Sequence, residues 1–395
     1  MFRGSKIDKQ KFKSSNKVQL VRGGKAYFDL LISLIENAHQ TIHLQTYIFE
    51  MDATGIMVSE ALKNAAQRKV AVYLLVDGYA SQSIPKNEIE AMTSIGIHFR
   101  FFEPVFKSKN FYFGRRMHQK IFIADSMYAI VGGINIANKY NDQLKVAAWL
   151  DFALYVEGEI AQDLCFIAWK TWNGFSMKSN IYFPCIKDKS KIKFTNHESC
   201  DVRIRRNDWV RRKNEISATY FQMFQNANSH ITIICSYFLP GKIVRGLLSN
   251  AAKRGVIIKV ITAGTSDIMI AKHAERWLYD WLLRNKIELY EYQPSILHAK
   301  VAVCDSEWLT IGSYNLNNMS AYASIELNLD VRNKVFALQL EDQLKLIQDK
   351  DCIAITKKRH IQTTNILIQF IRWCCYEILR VIFFLLTFYY KQKKG

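Results

Sequence analysis

No Cys-x-x-Cys pair and no Cys/His array at zinc spacing occurs in the chain, although it holds eight cysteines. That absence argues against both a metal-binding motif and a disulfide framework. Cys165, Cys185, Cys200, Cys235, Cys304, Cys352, Cys374 and Cys375 are therefore expected to be reduced, mostly buried thiols in a cytosolic setting. Adjacent Cys374 and Cys375 read as small buried apolar residues, with acylation as the alternative. No apolar stretch follows Met1, so neither a signal peptide nor a leading anchor is expected. An unbroken apolar run long enough to span a bilayer, roughly 20 residues, is also missing. Val381 to Tyr390 is only ten residues. Acid is scarce as well: 35 Asp+Glu face 54 Lys+Arg, a net charge of +19. Such an excess points to a polyanionic partner, either nucleic acid or an anionic membrane surface, and charge alone does not choose between them.

What is present is a stretch that occurs twice. Met117-His118-Gln119-Lys120 runs on to Asp125 and to Gly132-Gly133-Ile134-Asn135. Leu297-His298-Ala299-Lys300 runs on to Asp305 and to Gly312-Ser313-Tyr314-Asn315, 180 residues later. The surrounding pattern repeats too. Leu62-Lys63-Asn64-Ala65-Ala66 aligns with Leu248-Ser249-Asn250-Ala251-Ala252, and Gln45-Thr46-Tyr47-Ile48-Phe49 with Cys235-Ser236-Tyr237-Phe238-Leu239. An internal match of this length implies two related halves.

Each half alternates strand and helix. In the first, Asp29 to Asn37 reads as helix, Thr41 to Phe49 as strand and Gly55 to Gln67 as helix. Val70 to Val76 is a buried strand, Lys86 to Ser94 a helix and Ile97 to Phe102 a strand. The second half follows with Ile231 to Phe238, Ile243 to Lys253, Val256 to Thr262, one helix from Ile268 to Arg284, and Ile287 to Tyr292. The expected fold is α/β: two fused halves, each a mixed sheet flanked by helices, related by a pseudo-twofold axis with the active site at their interface. The expected divisions are a basic tail (1–17), an N-terminal half (18–195), a C-terminal half (196–350) and an amphipathic helix (361–395). The join carries a Lys cluster around Pro184. Beyond it Arg203, Arg205, Arg206, Arg211, Arg212 and Lys213 suit either a solvated face or a phosphate contact.

On a strand, His118 and Lys120 share one face, as do His298 and Lys300. Two imidazoles, two ammonium groups and the amides of Asn135 and Asn315 brought to one point make a site for a phosphodiester. One His attacks phosphorus while the other protonates the leaving alkoxide. The Lys and Asn groups stabilise charge on the transferred phosphoryl oxygens. Neither metal nor cofactor is required. Asp125 and Asp305, counted with the catalytic set by their fixed spacing, suit the turn after each strand. Gly133 and Ser313 are placed against substrate, where a small residue lets backbone approach closely.

These residues resemble the twin HKD motifs of the phospholipase D superfamily. Thr46-Tyr47-Ile48-Phe49, Tyr140, Trp149-Leu150-Asp151 and Ser236-Tyr237-Phe238-Leu239-Pro240 resemble its bacterial cardiolipin synthases. Gln119 stands where such enzymes often carry a basic residue, and Asn317 where an Asp often follows. The resemblance implies that His118 is the nucleophile and forms a phosphohistidine. His298 then acts as general acid and base, the reverse assignment staying open by symmetry. It also implies an orienting carboxylate after each motif, Asp151 for His118 and Glu326 for His298, in the manner of a triad.

From Ile366 onward the chain turns apolar and aromatic. Gln369, Arg372, Tyr376, Glu377, Arg380, Thr387 and Lys391 gather on one arc at helical spacing. This fits a helix lying in a membrane interface; packing onto the domain and a tilted spanning helix are the alternatives. The resulting expectation is a phosphatidyltransferase that makes cardiolipin from phosphatidylglycerol on an anionic membrane, at the cytoplasmic face of a bacterial inner membrane. Hydrolytic phospholipase D is the first alternative. A nuclease also suits the charge but has little use for the apolar helix, and a membrane-binding protein with dead motifs is disfavoured by both copies being intact.

Overall fold

The computed structural model describes residues 11–104, 115–144, 146–175, 185 and 199–392. The Lys cluster at 178–193 and the first ten residues of the basic tail lie outside these.

The first half runs β1 (Asn16–Arg22), α1 (Lys25–Glu36), β2 (Thr41–Thr46), α2 (Ala53–Gln67), β3 (Ala71–Asp77), α3 (Lys86–Ser94) and β4 (His98–Phe102). It continues with β5 (Arg116–Met117), β6 (Lys120–Ala124), β7 (Tyr128–Gly132), β8 (Phe152–Gly158) and α4 (Glu159–Trp172). The second half runs β9 (Asp201–Asp208), β10 (Lys213–Asn214), α5 (Glu215–Asn226), β11 (His230–Cys235), α6 (Lys242–Lys253) and β12 (Ile257–Ala263). Then come α7 (Met269–Trp277), α8 (Tyr279–Arg284), β13 (Glu288–Tyr292), β14 (Lys300–Cys304), β15 (Trp308–Gly312), α9 (Asn318–Tyr322) and β16 (Ser324–Arg332). The chain closes with α10 (Lys334–Asp351), β17 (Cys352–Ala354), α11 (Lys357–Gln362) and α12 (Ile366–Gln392).

The two sheets have matching strand orders, β1-β8-β7-β6-β2-β3-β4 and β9-β16-β15-β14-β11-β12-β13, the latter extended by β10 and β17 at its edges. Each is parallel on one side (β2-β3-β4; β11-β12-β13) and antiparallel on the other. The mixed α/β fold of two related halves is thus as the sequence implies. The repeat begins earlier than the alignment reached, since β1 and β9 are equivalent edge partners of β8 and β16. The last residues of the expected tail accordingly belong to the fold. Lys13 pairs with Val202, and Asn16 is buried where β1 starts.

One core is shared by the two sheets. Ile121, Val131 and Leu154 from the first pack with Val301, Leu309 and Leu329 from the second, with α4 and α10 completing the layer. The outer faces are covered separately, by α1 and α2 on one side and α5 and α6 on the other. This two-sided burial explains β2. Its polar His43 and Gln45 alternate with apolar residues, yet all six positions are buried. Gln45 turns inward to donate to the Ala168 carbonyl at 2.8 Å and accepts from Gln119 at 2.7 Å. Gln119 is therefore a buried link between strands and α4.

Three further expectations are corrected. The helix from Ile268 to Arg284 is two helices, α7 and α8, meeting at Leu278. Arg203 and Arg205 do not form a solvated face, because both turn to the carboxylate of Asp330 on the neighbouring β16, at 2.8 and 3.5 Å. Cys165 and Cys185 are joined as a disulfide across 20 residues, a pairing that no sequence motif marks. Cys200, Cys235 and Cys304 are buried free thiols, and Cys374 and Cys375 are half-buried on α12.

Among the described residues, no helix is long and apolar enough to cross a membrane. α12 instead lies along α7 and α9. Leu379, Cys375, Tyr376 and Phe383 pack against Leu239, Ala274, Trp277 and Leu278. Arg372, expected on the polar arc facing water, turns inward and donates to the Thr364 hydroxyl at 2.8 Å. The consequence is an inverted surface. Leu367, Phe370, Trp373, Ile378 and Leu385 are exposed, the least of them by 42%.

Candidate active site

The site forms where the two halves exchange backbone hydrogen bonds. β5 pairs in parallel with β16, and Leu150 forms the equivalent bridge to Leu297. The His118 N–H donates to the carbonyl of Ile325 at 3.0 Å, and the His298 N–H to that of Leu150 at 2.8 Å. Each acceptor immediately precedes a carboxylate of the opposite half. Each imidazole is thereby delivered to an acid that its own half does not own.

The acids pair accordingly. His118 Nδ1 lies 2.9 and 3.1 Å from the two oxygens of Glu326. His298 Nδ1 lies 2.6 Å from Asp151 Oδ2. This corrects the within-half pairing expected from the family pattern: Glu326 meets His118 and Asp151 meets His298, so the pairs are crossed. Both contacts use Nδ1, which leaves Nε2 of each ring for chemistry.

Gly133 and Ser313, expected against substrate, lie against these acids. A Cβ on Gly133 would sit 2.5 Å from Asp151 Oδ2, so only glycine admits the carboxylate. At the equivalent position the Ser313 hydroxyl donates to Glu326. Lys120 and Lys300 each reach back to the carbonyl of the His two residues before, Lys120 at 2.6 Å. Lys300 Nζ also lies 2.9 Å from His298 Nδ1 and 4.0 Å from Asp151.

The motif Asp residues are elsewhere. Asp125 accepts the backbone N–H groups of His39, Gln40 and Thr41 at 2.7–2.9 Å. Asp305 does the same for Asn228, Ser229 and His230 at 2.9–3.0 Å. Both begin the hairpin loops joining β6 to β7 and β14 to β15, with positive φ at Asp125, Ser126, Asp305 and Ser306. At roughly 3.3 Å per residue along the strand, they sit at the far end from the Lys. They tie each hairpin to the segment entering β2 or β11 and are not catalytic.

Asn135 is also re-assigned. Its amide donates to the Tyr140 hydroxyl at 2.9 Å and its oxygen accepts from the Ile48 N–H at 3.1 Å. It therefore fixes Tyr140, whose ring meets His298 edge-on at 5.2 Å. Asn315 is buried with its oxygen 3.8 Å from the Cys235 thiol. Asn317, where an Asp was the family norm, caps α9 by accepting from the Ser320 N–H at 2.9 Å, as an Asp does.

Several contributors were not singled out from the sequence as site residues. The Tyr47 ring lies 5.0 Å from His118 and 5.2 Å from the Lys120 ammonium. Its repeat partner Tyr237 donates to Asp267 at 2.5 Å. The aligned Tyr at both positions was the signal available. Asp77, at the end of β3, accepts the Met117 N–H at 2.9 Å and so fixes the chain entering His118. Nothing in its local sequence marks that contact.

Burial dominates the electrostatics. It pushes His118 below the ordinary imidazole value, against the pull of Glu326. His298 lies well below, through burial and then the Lys300 and Lys120 charges. Burial raises Asp151 to about 6 and lowers Lys120 to about 7, with Lys300 adding to that fall. Lys300 is lowered likewise.

A pH profile follows. As pH falls through about 6, Asp151 gains a proton and His298 loses its anionic partner. As pH rises through about 7, Lys120 loses its charge. The free-enzyme profile, kcat/KM, is expected to be a narrow bell between these values. A bound phosphodiester anion favours the ammonium, so the alkaline limb should move upward in kcat. Lys120→Arg should abolish that limb; an unchanged limb in this variant would rule out Lys120 as its source.

One trio of potential metal ligands exists among the described residues: His43, Cys165 and Cys185, with ligand atoms within 4.8 Å of one another. It lies in the shared core, and its two sulfurs are bonded to each other. The His43 ring stacks on Tyr73 at 4.9 Å with neither nitrogen hydrogen-bonded, and burial lowers it to about 3.

Two segments of the chain, residues 31–148 and 220–347, match the family model described as cardiolipin synthase, PLD-like domain. They are the two structural halves. Cardiolipin synthase B of Salmonella typhi is 32% identical over 347 residues, covering 86% of this chain and 82% of that protein. Cardiolipin synthase B of Shigella flexneri is 30% identical over 344 residues, with the same coverage. Among solved structures, phosphatidylserine synthase of Haemophilus influenzae superposes with a TM-score of 0.72 over 96% of this chain and 97% of that one. At 13% identity this is a likeness of fold alone.

Proposed function

The chain belongs to the cardiolipin synthase, PLD-like domain family, and on that premise we propose that it is a phosphatidyltransferase making cardiolipin from phosphatidylglycerol through a phosphohistidine. The observation that carries the reading is the crossed pair of imidazole–carboxylate dyads at the seam, with an ammonium beside each ring.

His118 is the nucleophile and His298 the acid and base. His118 keeps 17% of its side chain exposed against 8% for His298, which supports approach of the phosphodiester on the His118 side. Its Nε2 lone pair attacks phosphorus as the P–O bond to glycerol breaks. The departing oxygen takes a proton from His298 Nε2. A headgroup hydroxyl of a second phosphatidylglycerol then attacks the phosphorus. It gives its proton back to His298 as the N–P bond breaks and His118 is released. Two phosphatidylglycerols yield one cardiolipin and one glycerol, without a further reactant. The Lys120 and Lys300 ammonium groups stabilise the charge that builds on the phosphoryl oxygens in both steps.

The geometry around His298 gives the proton a defined position. One proton occupies the 2.6 Å contact between Asp151 and Nδ1. A second proton, on Nε2, goes to the leaving glycerol and is regained from the acceptor hydroxyl, and the carboxylate stabilises the imidazolium that carries both protons before the first step and after the second. Incubation of the protein with vesicles of phosphatidylglycerol, with and without phosphatidylethanolamine, followed by mass analysis of lipids, tests the function. Cardiolipin with stoichiometric glycerol is expected. Phosphatidic acid as the sole product would instead indicate hydrolysis.

The working surface is an anionic membrane, met by the apolar outer face of α12 and the excess of basic residues. Replacing Phe370 and Trp373 by Glu spares the face packed on α7. The double variant is expected to lose most binding to anionic vesicles in co-sedimentation. Undiminished binding would place the contact elsewhere.

A further inference from the structure

A cavity of about 770 Å³ lies on the second half, roofed by α12. Its walls are apolar: Val244 from α6, Leu316 and Ala321 on and before α9, and Val381, Phe383 and Phe384 from α12. Lys242 and Arg380 stand among its lining residues, and both are exposed. Its size is within the roughly 300–1,000 Å³ of small-molecule sites.

We propose that this cavity receives one acyl chain of a phospholipid substrate, the headgroup of which lies at the paired histidines. The inference rests on the phosphatidyl-transfer reading and adds to it the place where a chain is held. Three observations lead to a lipid tail and not to a peptide or nucleotide. First, the cavity wall is continuous in backbone with the second repeated motif. Tyr314 and Leu316, both in its wall, flank Asn315, and consecutive Cα atoms are about 3.8 Å apart. The Leu316 carbonyl further accepts the Leu239 N–H at 3.1 Å, which joins this wall to the segment following β11.

Second, three apolar side chains near the cavity reach solvent. Ile243, Met319 and Phe384 are 39–44% exposed and continue the uncovered face of α12. A chain leaving a bilayer against that face would pass along apolar surface and avoid water. Third, the cations Lys242 and Arg380 complement an anionic headgroup, although Arg380 shares its charge with Glu377 at 2.8 Å. The cavity depends on α12, which the first half does not possess. It therefore breaks the twofold symmetry of the repeats and gives the His298 side a holding site that the repeat alone does not supply.

Phosphatidylglycerol carrying a diazirine at the end of one acyl chain, in vesicles with the full-length protein, tests this by photolysis and peptide mapping. Adducts within residues 240–244, 316–322 or 380–384 are expected. Adducts confined to Phe370 and Trp373 on the outer face, or absent altogether, would overturn the proposal. A second measurement uses Ala321→Trp, which fills the cavity. The ratio of turnover on dioleoyl- to dihexanoyl-phosphatidylglycerol is expected to fall at least tenfold, and an unchanged ratio contradicts the assignment. Labelling of the cavity in a wild-type protein that forms no lipid product would sink the transfer reading and leave the acyl site standing.

Discussion

His118→Ala and His298→Ala should each lower cardiolipin formation by at least ~10⁴-fold, since each removes a group that touches the reacting phosphorus or its leaving oxygen. The two losses are expected to differ in kind. With a phosphodiester whose leaving alcohol is acidic, departure no longer needs a proton from His298 Nε2. The His298→Ala protein should then still form the adduct on His118 and stall, because no base remains to activate the acceptor hydroxyl. His118→Ala should form none. Both rings are buried or nearly so within a well-packed seam, and removal of one leaves the sheets' shared core untouched. The expected defect is therefore chemical, and circular dichroism and melting should be close to wild type. Normal product from either variant would mean that the two copies do not form one site.

The second large effect concerns the acids. Asp151→Asn and Glu326→Gln should each reduce turnover roughly 10²- to 10⁴-fold, by removing the partner that fixes a ring tautomer and stabilises its charged form. The crossing makes the pattern specific. Glu326 contacts His118 and Asp151 contacts His298, so Glu326→Gln should move the ¹⁵N resonances of His118 and leave those of His298 nearly in place. Asp151→Asn should do the reverse. In the burst assay with an acidic leaving group, Glu326→Gln should slow adduct formation, whereas Asp151→Asn should slow adduct breakdown. Within-half pairing predicts the opposite in both measurements.

Much of this site could be read from the chain because the repeat carries it. The offset of 180 residues marks His118 and His298 as one constellation, and the strand period places each Lys beside its His. What could not be read was anything that depends on the second sheet. The family pattern supplies one acid per motif, and sequence order assigns each to the nearer His. The crossing arises because β5 and the Leu150–Leu297 bridge swap partners between halves, and no local spacing records that. Gln45 and Gln119 are polar, yet both are buried, with Gln45 donating to the Ala168 carbonyl of α4 and accepting from Gln119. Arg203 and Arg205 look like a phosphate cluster until Asp330, some 125 residues on, lies beside them.

The C-terminal helix shows a subtler limit. Its polar arc is real at helical spacing, but Arg372 and Tyr376 on it face the protein. The half-buried Thr364 hydroxyl accepts from Arg372 there, and the apolar side remains uncovered. A moment computed along the chain finds the two faces without saying which one meets the domain. Similarly, the regular spacing of Asp125 and Asp305 signals a shared role, and the role is to bind the backbone entering β2 and β11.

In the proposed mechanism both halves build one site that carries phosphatidyl on a histidine. The direct measurement is to mix the full-length protein with phosphatidylglycerol labelled in its acyl chain. The reaction is quenched in base within the first turnover, and the adduct is mapped by peptide mass spectrometry. Phosphatidyl on the peptide containing His118, missing from His118→Ala and, once an acidic leaving alcohol replaces glycerol, accumulating in His298→Ala, is the predicted result. Cardiolipin formed with no adduct on either histidine would contradict it.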